Sequence, residues 1–395
     1  MKIGVFTDTY YPEAKGVATS VFQLKKELER RGHTVYIFTV SNPGMKEKEE
    51  NVYRIKSIPF LLLKDRRVGC PLIRKWVRRI RKLELDVIHT QTEFIIGHIG
   101  RKAAKECQIP LLHTYHTIYE DYTHYLKVPG NSNLKCVARA MSRYICEKAN
   151  KVVVPTEKVR KLLIEYGVHK PIDVEPTGID LSKFETYEPD KVRRLKEQYE
   201  LEGASCILFS VGRLAKEKNP IEILRYLAPV LAKDLGVKFL FVGDGPERKE
   251  LESYVKEKNL TEQVRFTGEA SWKEIQNYYA LGDVFVSAST SETQGLTYIE
   301  ALAAGKPLLV RQDQCLADIL EDGVNGYAFY DERSFLDGLQ KLKSKARFLQ
   351  MKEDAKESVK HISSHVFGER LEAVYESMLA VAEPSLYKDC EQKGA

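Results

Sequence analysis

Residues Cys206–Val242 read CILFSVGRLAKEKNPIEILRYLAPVLAKDLGVKFLFV. A short apolar run ends at Val211, and a polar turn with Gly212, Arg213 and Lys218 follows. Pro220 then opens a segment whose apolar residues recur at helical spacing to about residue 235, and a second apolar run covers 238–242. Continuously apolar strands joined by an amphipathic helix read as a buried, parallel βαβ unit.

The pattern extends in both directions. In the first half, strands are expected at 2–7, 34–40, 52–57, 86–91, 110–116 and 151–155, with helices at 17–31, 71–83, 94–107, 132–149 and 157–166. In the second half, strands at 206–211, 238–242, 264–267, 284–288, 307–310 and 327–329 alternate with helices near 220–235, 246–258, 272–281, 297–304 and 315–321. The expected class is α/β, with two Rossmann-like doubly wound domains facing across a cleft. A length of 395 residues suits two domains. Val174–Arg193 lacks a period and holds Pro176, Gly178 and Pro189, so the linker is placed there. The expected domains are 1–178 and 179–365, followed by a helical segment, 366–395, that in such a chain would cross back to the first domain.

Composition narrows the class. With 43% hydrophobic and 30% charged residues the chain is an ordinary folded one. No apolar run approaches the roughly 18 residues of a membrane span. The first residues lack the apolar core and cleavage site of a signal peptide. Seven scattered cysteines form no Cys-x-x-Cys pair, which argues against a disulfide framework or zinc site and for a reducing cytosol.

Charge is uneven. Residues 1–180 carry 32 Lys and Arg against 20 Asp and Glu, a balance of +12, and the remainder carries 30 against 36, or −6. The first half is therefore expected to face a polyanion. The excess peaks at Lys64, Arg66, Arg67, Arg74, Lys75, Arg78, Arg79, Arg81 and Lys82, with Asp65 the one acid among them. Leu72, Ile73, Trp76, Val77, Ile80 and Leu83 recur at helical spacing within it, and Pro59–Leu63 precedes it as an apolar run. Two readings are open at this point: a basic, Trp-bearing helix at a membrane interface, or a surface helix packing its stripe on its own domain.

Ligands of open α/β sheets bind beyond the carboxyl ends of strands. Gly16 follows the first strand and opens a helix, but neither a dinucleotide fingerprint nor a P-loop is present. Beyond the fifth strand lie His113, His116, Tyr119, Glu120, Asp121, Tyr122, His124 and Tyr125, and His116 is the candidate for contacting a reacting group. Arg213 and Lys218, five residues apart beyond a strand end, suit a diphosphate. Gly243-Asp244-Gly245-Pro246 shapes a nucleoside pocket. In Ser289–Glu300, Glu292 lies in a loop with Gly295, and Glu300 lies about a turn into the next helix, where a carboxylate accepts ribose hydroxyls.

These residues resemble the retaining GT-B glycosyltransferases of family 4. The marker Glu-x7-Glu stands at Glu292 and Glu300, Gly-Arg-Leu-x-x-x-Lys at Gly212, Arg213, Leu214 and Lys218, and Gly-Asp-Gly-Pro at 243–246. Within that family, Phe6–Tyr10 with Gly16–Ser20, His89–Phe94, His113–Tyr125 and Ser287–Thr297 are similar to bacterial diacylglycerol glucosyltransferases. The family's usual Glu-Gly-Phe-Gly is Glu292-Thr293-Gln294-Gly295 here, as in the glycolipid branch.

The resemblance implies a retaining hexosyltransferase that uses UDP-glucose and diacylglycerol and makes α-glucosyl-diacylglycerol, with no cofactor and no metal. It implies an acceptor- and membrane-facing domain at 1–178 and a nucleotide-sugar domain at 179–365. Arg213 and Lys218 would hold the diphosphate, Gly16, Gly212 and Gly243 would lie against the nucleotide, and Glu300 would bind ribose. Glu292, Thr293 and the Gln294, Gly295 and Leu296 backbone would hold the hexose, with His116 near the anomeric carbon. A lipid acceptor favours the interfacial reading of the basic segment, hence a peripheral protein on the cytoplasmic membrane face, at an anionic lipid surface. The alternatives are a galactosyltransferase on glucosyl-diacylglycerol with UDP-galactose, a soluble family-4 transferase, and a basic nucleic-acid-binding protein, against which the lack of any nucleic-acid motif argues.

Overall fold

The computed structural model describes residues 1–11, 16–42, 49–60, 63–70, 72–125, 131–343 and 345–391. The chain clusters into two compact units, Met1–Gly178 with Ser364–Ala395, and Ile179–Ser363.

The first unit is built on β1 (Lys2–Phe6), α1 (Gly16–Arg30), β2 (Thr34–Val40), β3 (Val52–Ile55), β4 (Ser57–Phe60), β5 (Leu63–Gly69), α2 (Ile73–Arg81), β6 (Val87–Thr90), α3 (Ile95–Cys107), β7 (Leu111–Thr114), α4 (Asn131–Cys146), β8 (Lys151–Val154), α5 (Glu157–Glu165) and β9 (Ile172–Val174). Seven strands form one sheet in the order β3-β2-β1-β6-β7-β8-β9, parallel throughout. The strands are apolar and short because helices cover both faces. β4 and β5 form a separate antiparallel hairpin.

The second unit comprises α6 (Ser182–Glu185), α7 (Pro189–Gln198), β10 (Cys206–Val211), α8 (Pro220–Lys233), β11 (Val237–Val242), α9 (Arg248–Glu257), β12 (Val264–Phe266), α10 (Ile275–Leu281), β13 (Val284–Ser287), α11 (Leu296–Ala303), β14 (Leu308–Arg311), β15 (Gly326–Phe329), α12 (Glu332–Leu342) and α13 (Lys345–Ser358). Its sheet runs β12-β11-β10-β13-β14-β15. Strand order reverses between β1 and β6 in one unit and between β10 and β13 in the other. Crevices for ligands open at such switch points.

The last helix, α14 (Ser364–Glu391), belongs to the first unit, so the boundary falls at 363/364 rather than 365/366. Phe367, Leu371, Val374, Tyr375 and Met378 join Ile3, Val5, Val21, Leu24 and Leu28 in one buried cluster. Glu372 fixes the helix from outside, accepting from Arg31 Nε at 2.6 Å and lying 2.6 Å from His33 Nε2.

Three expectations need correction. The chain passes between units at 178/179, but within the expected linker 182–185 is helical and α7 begins at Pro189 and runs on to Gln198, with Pro189 in its first turn. Pro suits that position because no intrahelical partner awaits its missing N–H. Residues 57–60 and 63–69 form the hairpin, and 172–174 forms an edge strand. The helix expected near 315–321 is a 3-10 turn at 314–316.

The basic segment is also redistributed. Val77 and Ile80 are buried, and Ile73, Trp76 and Leu83 pack against the same core. Trp76 is partly buried and meets Phe38 edge-on, so it packs against the domain's own core. Arg79 lies over Tyr53, 4.6 Å from the ring centre. Arg67 donates to Ser57 Oγ and Ser57 O at 2.8 Å, and so closes the hairpin. The side chains of residues 60–66, among them Lys64 and Arg66, lie outside the described residues. Arg74, Lys75, Arg78, Arg81 and Lys82 are exposed.

Because Leu371 is fully buried between α1 and the sheet, Leu371→Ala is expected to cost about 2–5 kcal/mol. The loss should appear as faster hydrogen exchange in β1 and β2 with β10 and β11 unchanged. Equal exchange in β1 would refute the clamping role of α14.

Candidate functional site

In the second unit the loops beyond β10, β11 and β13 are joined through their backbones. Gly212 N–H donates to Val242 O at 2.9 Å, Leu214 N–H to Asp244 O at 3.0 Å, and Glu247 N–H to Leu214 O at 3.0 Å. A Cβ on Gly243 would lie 1.9 Å from Gly212 O, and one on Gly245 would lie 2.2 Å from Leu214 O. Gly243 also has φ +144. Only glycine permits these approaches.

The 216–218 turn is then tied to the loop after β13. Glu217 O accepts from Thr290 N–H at 3.0 Å and from Thr290 Oγ1 at 3.2 Å. That contact sets Lys218 beside Glu292, with Nζ 2.6 Å from Oε1. Arg213 is exposed beyond the strand end, and Gln294 and Gly295 are buried. Gly295, at φ +77, precedes α11, and a Cβ there would meet Tyr298 at 2.5 Å. The sequence-selected residues from Gly212 to Glu300 thus converge on one end of this sheet.

Glu300 is buried in α11, and Oε2 accepts from Tyr279 OH at 2.7 Å. Burial pushes its carboxyl up to about 7, opposed by the Tyr279 hydrogen bond and the nearby Lys183. Lys183 is pushed down to about 8 by burial, with Glu300 acting in the opposite sense. Its ammonium stands 3.2 Å from the centre of the Trp272 ring and donates to Trp272 O. Sequence reasoning missed Tyr279 and Lys183, because neither lies in a motif and each is brought in by packing.

In the first unit Thr7, Asp8, Gln91, Thr92, Glu93 and His116 lie beyond β1, β6 and β7. Asp8 Oδ1 accepts Ile96 N–H at 3.1 Å, and Oδ2 accepts Thr92 Oγ1–H at 2.6 Å. Burial raises the Asp8 pKa, while these hydrogen bonds lower it. Asp8 therefore occupies the start of α3. Glu93 accepts from Tyr119 OH, and His113 Nε2 lies 3.5 Å from Glu93 Oε1. His116 Nε2 lies 2.6 Å from Gln91 Oε1. Burial first, then the neighbouring His113, pushes His116 down to about 3, so the ring is neutral at physiological pH. Gly16 is exposed as the first residue of α1, the loop before it lies outside the described residues, and so does the His124 side chain.

No group of three or more His, Cys, Asp or Glu side chains among the described residues is arranged to hold a metal ion. No helix among them is long and apolar enough to cross a membrane. Chemically, the second unit offers a glycine-lined backbone surface, two cations and two carboxylates, which suits a nucleoside diphosphate and a polyol. The first offers the uncharged His116 ring, the Gln91 amide and threonine hydroxyls at a strand mouth, beside the carboxyl groups of Asp8 and Glu93.

Residues 14–183 match the Glycosyltransferase Family 4 model and residues 191–361 the Glycosyl transferases group 1 model. The chain is 38% identical over 379 residues to the alpha-monoglucosyldiacylglycerol synthase of Streptococcus pneumoniae, covering 95% of this chain and 85% of that one. It is 33% identical to the synthase of the same name from Acholeplasma laidlawii, covering 95% and 96%. Among solved structures, Anabaena HepE in complex with UDP-glucose has a TM-score of 0.76 at 18% identity, covering 95% of this chain and 100% of that one. Sucrose-phosphate synthase from Thermosynechococcus elongatus has 0.74 at 20% identity, covering 96% and 99%. Both place the fold among GT-B proteins. The chain belongs to the group 1, family 4 glycosyltransferases and is a hexosyltransferase of GT-B fold.

Proposed function

We propose that this enzyme transfers glucose from UDP-glucose to diacylglycerol at the cytoplasmic membrane surface, with retention and without a metal, making α-glucosyl-diacylglycerol. The observation that carries the donor half is the juxtaposition of Lys218 and Glu292 by the tied loops, with Glu300 on the following helix. The acceptor half rests on the two synthases at 33–38% identity along nearly the whole chain.

The chemistry follows from the residues. Arg213 and Lys218 neutralise charge that builds on the departing diphosphate, which is electrostatic stabilisation of the transition state. Glu292, Thr293 and the Gln294–Leu296 backbone hold the hexose, and Glu300 accepts from the ribose hydroxyls. The acceptor hydroxyl oxygen bonds to the anomeric carbon as the bond to the UDP oxygen breaks, and the hydroxyl proton passes to that oxygen. Attack on the face that UDP leaves retains the configuration. Neutral His116 accepts a hydrogen bond from a sugar hydroxyl.

The lipid-facing surface is the charged arc of α2. Ile58 and Leu72 flank it and are 70% and 52% exposed. With the stripe of the helix spent on its own core, attachment is electrostatic with a small apolar addition.

The test supplies UDP-glucose and UDP-galactose in turn to vesicles containing diacylglycerol or glucosyl-diacylglycerol, without added metal. A glucosyl-diacylglycerol from UDP-glucose supports the reading, and product only from UDP-galactose overturns it.

Three outcomes follow. Lys218→Ala at retained fold should lose about 2.7–4 kcal/mol of transition-state stabilisation, or roughly 100- to 1,000-fold in kcat. Near-normal turnover would remove Lys218 from the reaction. Affinity for UDP-glucose, whose esterified diphosphate does not itself titrate near neutrality, should weaken as pH falls through about 7, because protonated Glu300 can no longer accept both ribose hydroxyls. Calorimetry on Glu300→Gln should find that dependence abolished. A triple change of Arg74, Arg78 and Arg81 to Gln should weaken binding to anionic vesicles by about 3 kcal/mol, at roughly 1 kcal/mol per charge. Unchanged co-sedimentation would assign attachment to another surface.

A further inference from the structure

His116 rests on a stack of buried polar groups that the reaction scheme leaves unused. His89 is fully buried in β6. Its Nδ1 lies 2.7 Å from Tyr375 OH, and its Nε2 lies 2.7 Å from Thr114 Oγ1. Both ring nitrogens are thereby occupied in the plane of the ring. Gln91 Nε2 lies 3.2 Å from one and 3.0 Å from the other. An atom nearly equidistant from both nitrogens at that range cannot lie in the ring plane, where it would collide with ring carbons, so it lies over the face.

That position decides which way the Gln91 amide points. The face of an aromatic ring is electron-rich, so it attracts an N–H and repels a carbonyl oxygen. The amide nitrogen must face His89, and Oε1 must face His116. An amide oxygen only accepts, so the 2.6 Å contact requires the proton of His116 on Nε2.

The geometry points to Gln91 as a positioning residue that fixes neutral His116 in the Nε2–H tautomer and leaves Nδ1 as the acceptor. The scaffold for this choice reaches to Tyr375 on α14, which makes the final helix part of the site's architecture. A ring that presents a lone pair accepts from a hydroxyl of the sugar. The opposite tautomer would present a donor there and leave the hydroxyl proton without a partner. The consequence for transfer rests on the proposed contact between His116 and the reacting sugar, whereas the tautomer itself does not.

The test is nitrogen-15 NMR of the full chain labelled at histidine, with the His116 resonances identified by their loss in His116→Asn. The expected wild-type spectrum has a proton-bearing Nε2 and an acceptor-type Nδ1. In Gln91→Leu the two forms should average, kcat for transfer should fall by about tenfold to a hundredfold, and KM for UDP-glucose should hold. An Nδ1–H form in the wild type overturns the proposal and needs no variant to fold. An unchanged His116 tautomer in Gln91→Leu overturns it as well. A tautomer that shifts without any loss of transfer upholds the role of Gln91 in fixing the ring and overturns the placement of His116 at the sugar.

Discussion

The strand-end loops of the second unit depend on a close run of main chain against main chain. At Gly243 and Gly245 the second loop approaches the first to a distance at which any Cβ would overlap a carbonyl oxygen, that of Gly212 or Leu214. Their hydrogen bonds hold the 212–218 segment against the 242–247 segment. The Glu217 carbonyl then pins that segment to Thr290. Lys218 stands beside Glu292 because both are carried by segments fixed in this way. Backbone contacts hold position more firmly than long side chains do, which matters where an error of 1 Å in aligning a reacting group can cost a factor of about 100.

A second constraint is desolvation, and it acts in both units. It raises the Glu300 carboxyl to about 7, where it titrates around physiological pH, and keeps the His116 imidazole uncharged. In each case burial comes first and local partners modify it: Tyr279 and Lys183 draw Glu300 back toward the carboxylate, while His113 further discourages a charge on His116. The two groups therefore differ as hydrogen-bonding groups. Glu300 stands where proton occupancy responds to pH, and His116 stands far from titration, where its useful property is which nitrogen holds its single proton.

Much of this was legible in the sequence. Alternating buried strands and amphipathic helices gave the two sheets, because strands covered on both faces leave continuous apolar runs. Glycines at 212, 243 and 295 were legible as loop positions beyond strand ends, and Lys218, Glu292 and Glu300 as polar groups carried there. What was not legible depends on partners remote in the chain. Tyr279 reaches Glu300 from another helix, and Tyr375 reaches His89 across 286 positions. Period alone also could not separate hairpin from helix at 57–69, where apolar residues cluster and charges follow in a block. Trp76 illustrates the same limit. The spacing that places it on the apolar stripe does not tell whether sheet or lipid covers the stripe, and contact with Phe38 answers for the sheet.

That answer changes the physics of the proposed membrane attachment. A helix that had kept Trp76 and Ile80 for the bilayer would gain by insertion, a term that salt scarcely weakens. This helix buries Ile80 and packs Trp76 on its own core, so what it offers a membrane is mainly the six exposed cations of residues 74–82. Such attraction fades over a Debye length of about 8 Å at physiological ionic strength. In the proposed attachment that attraction acts in aggregate to hold the protein at an anionic surface, and it is weak enough per residue to be reversible. On that proposal occupancy of the surface tracks its charge density, and an enzyme acting on an uncharged lipid acceptor would take its residence there from the charged lipids around that acceptor.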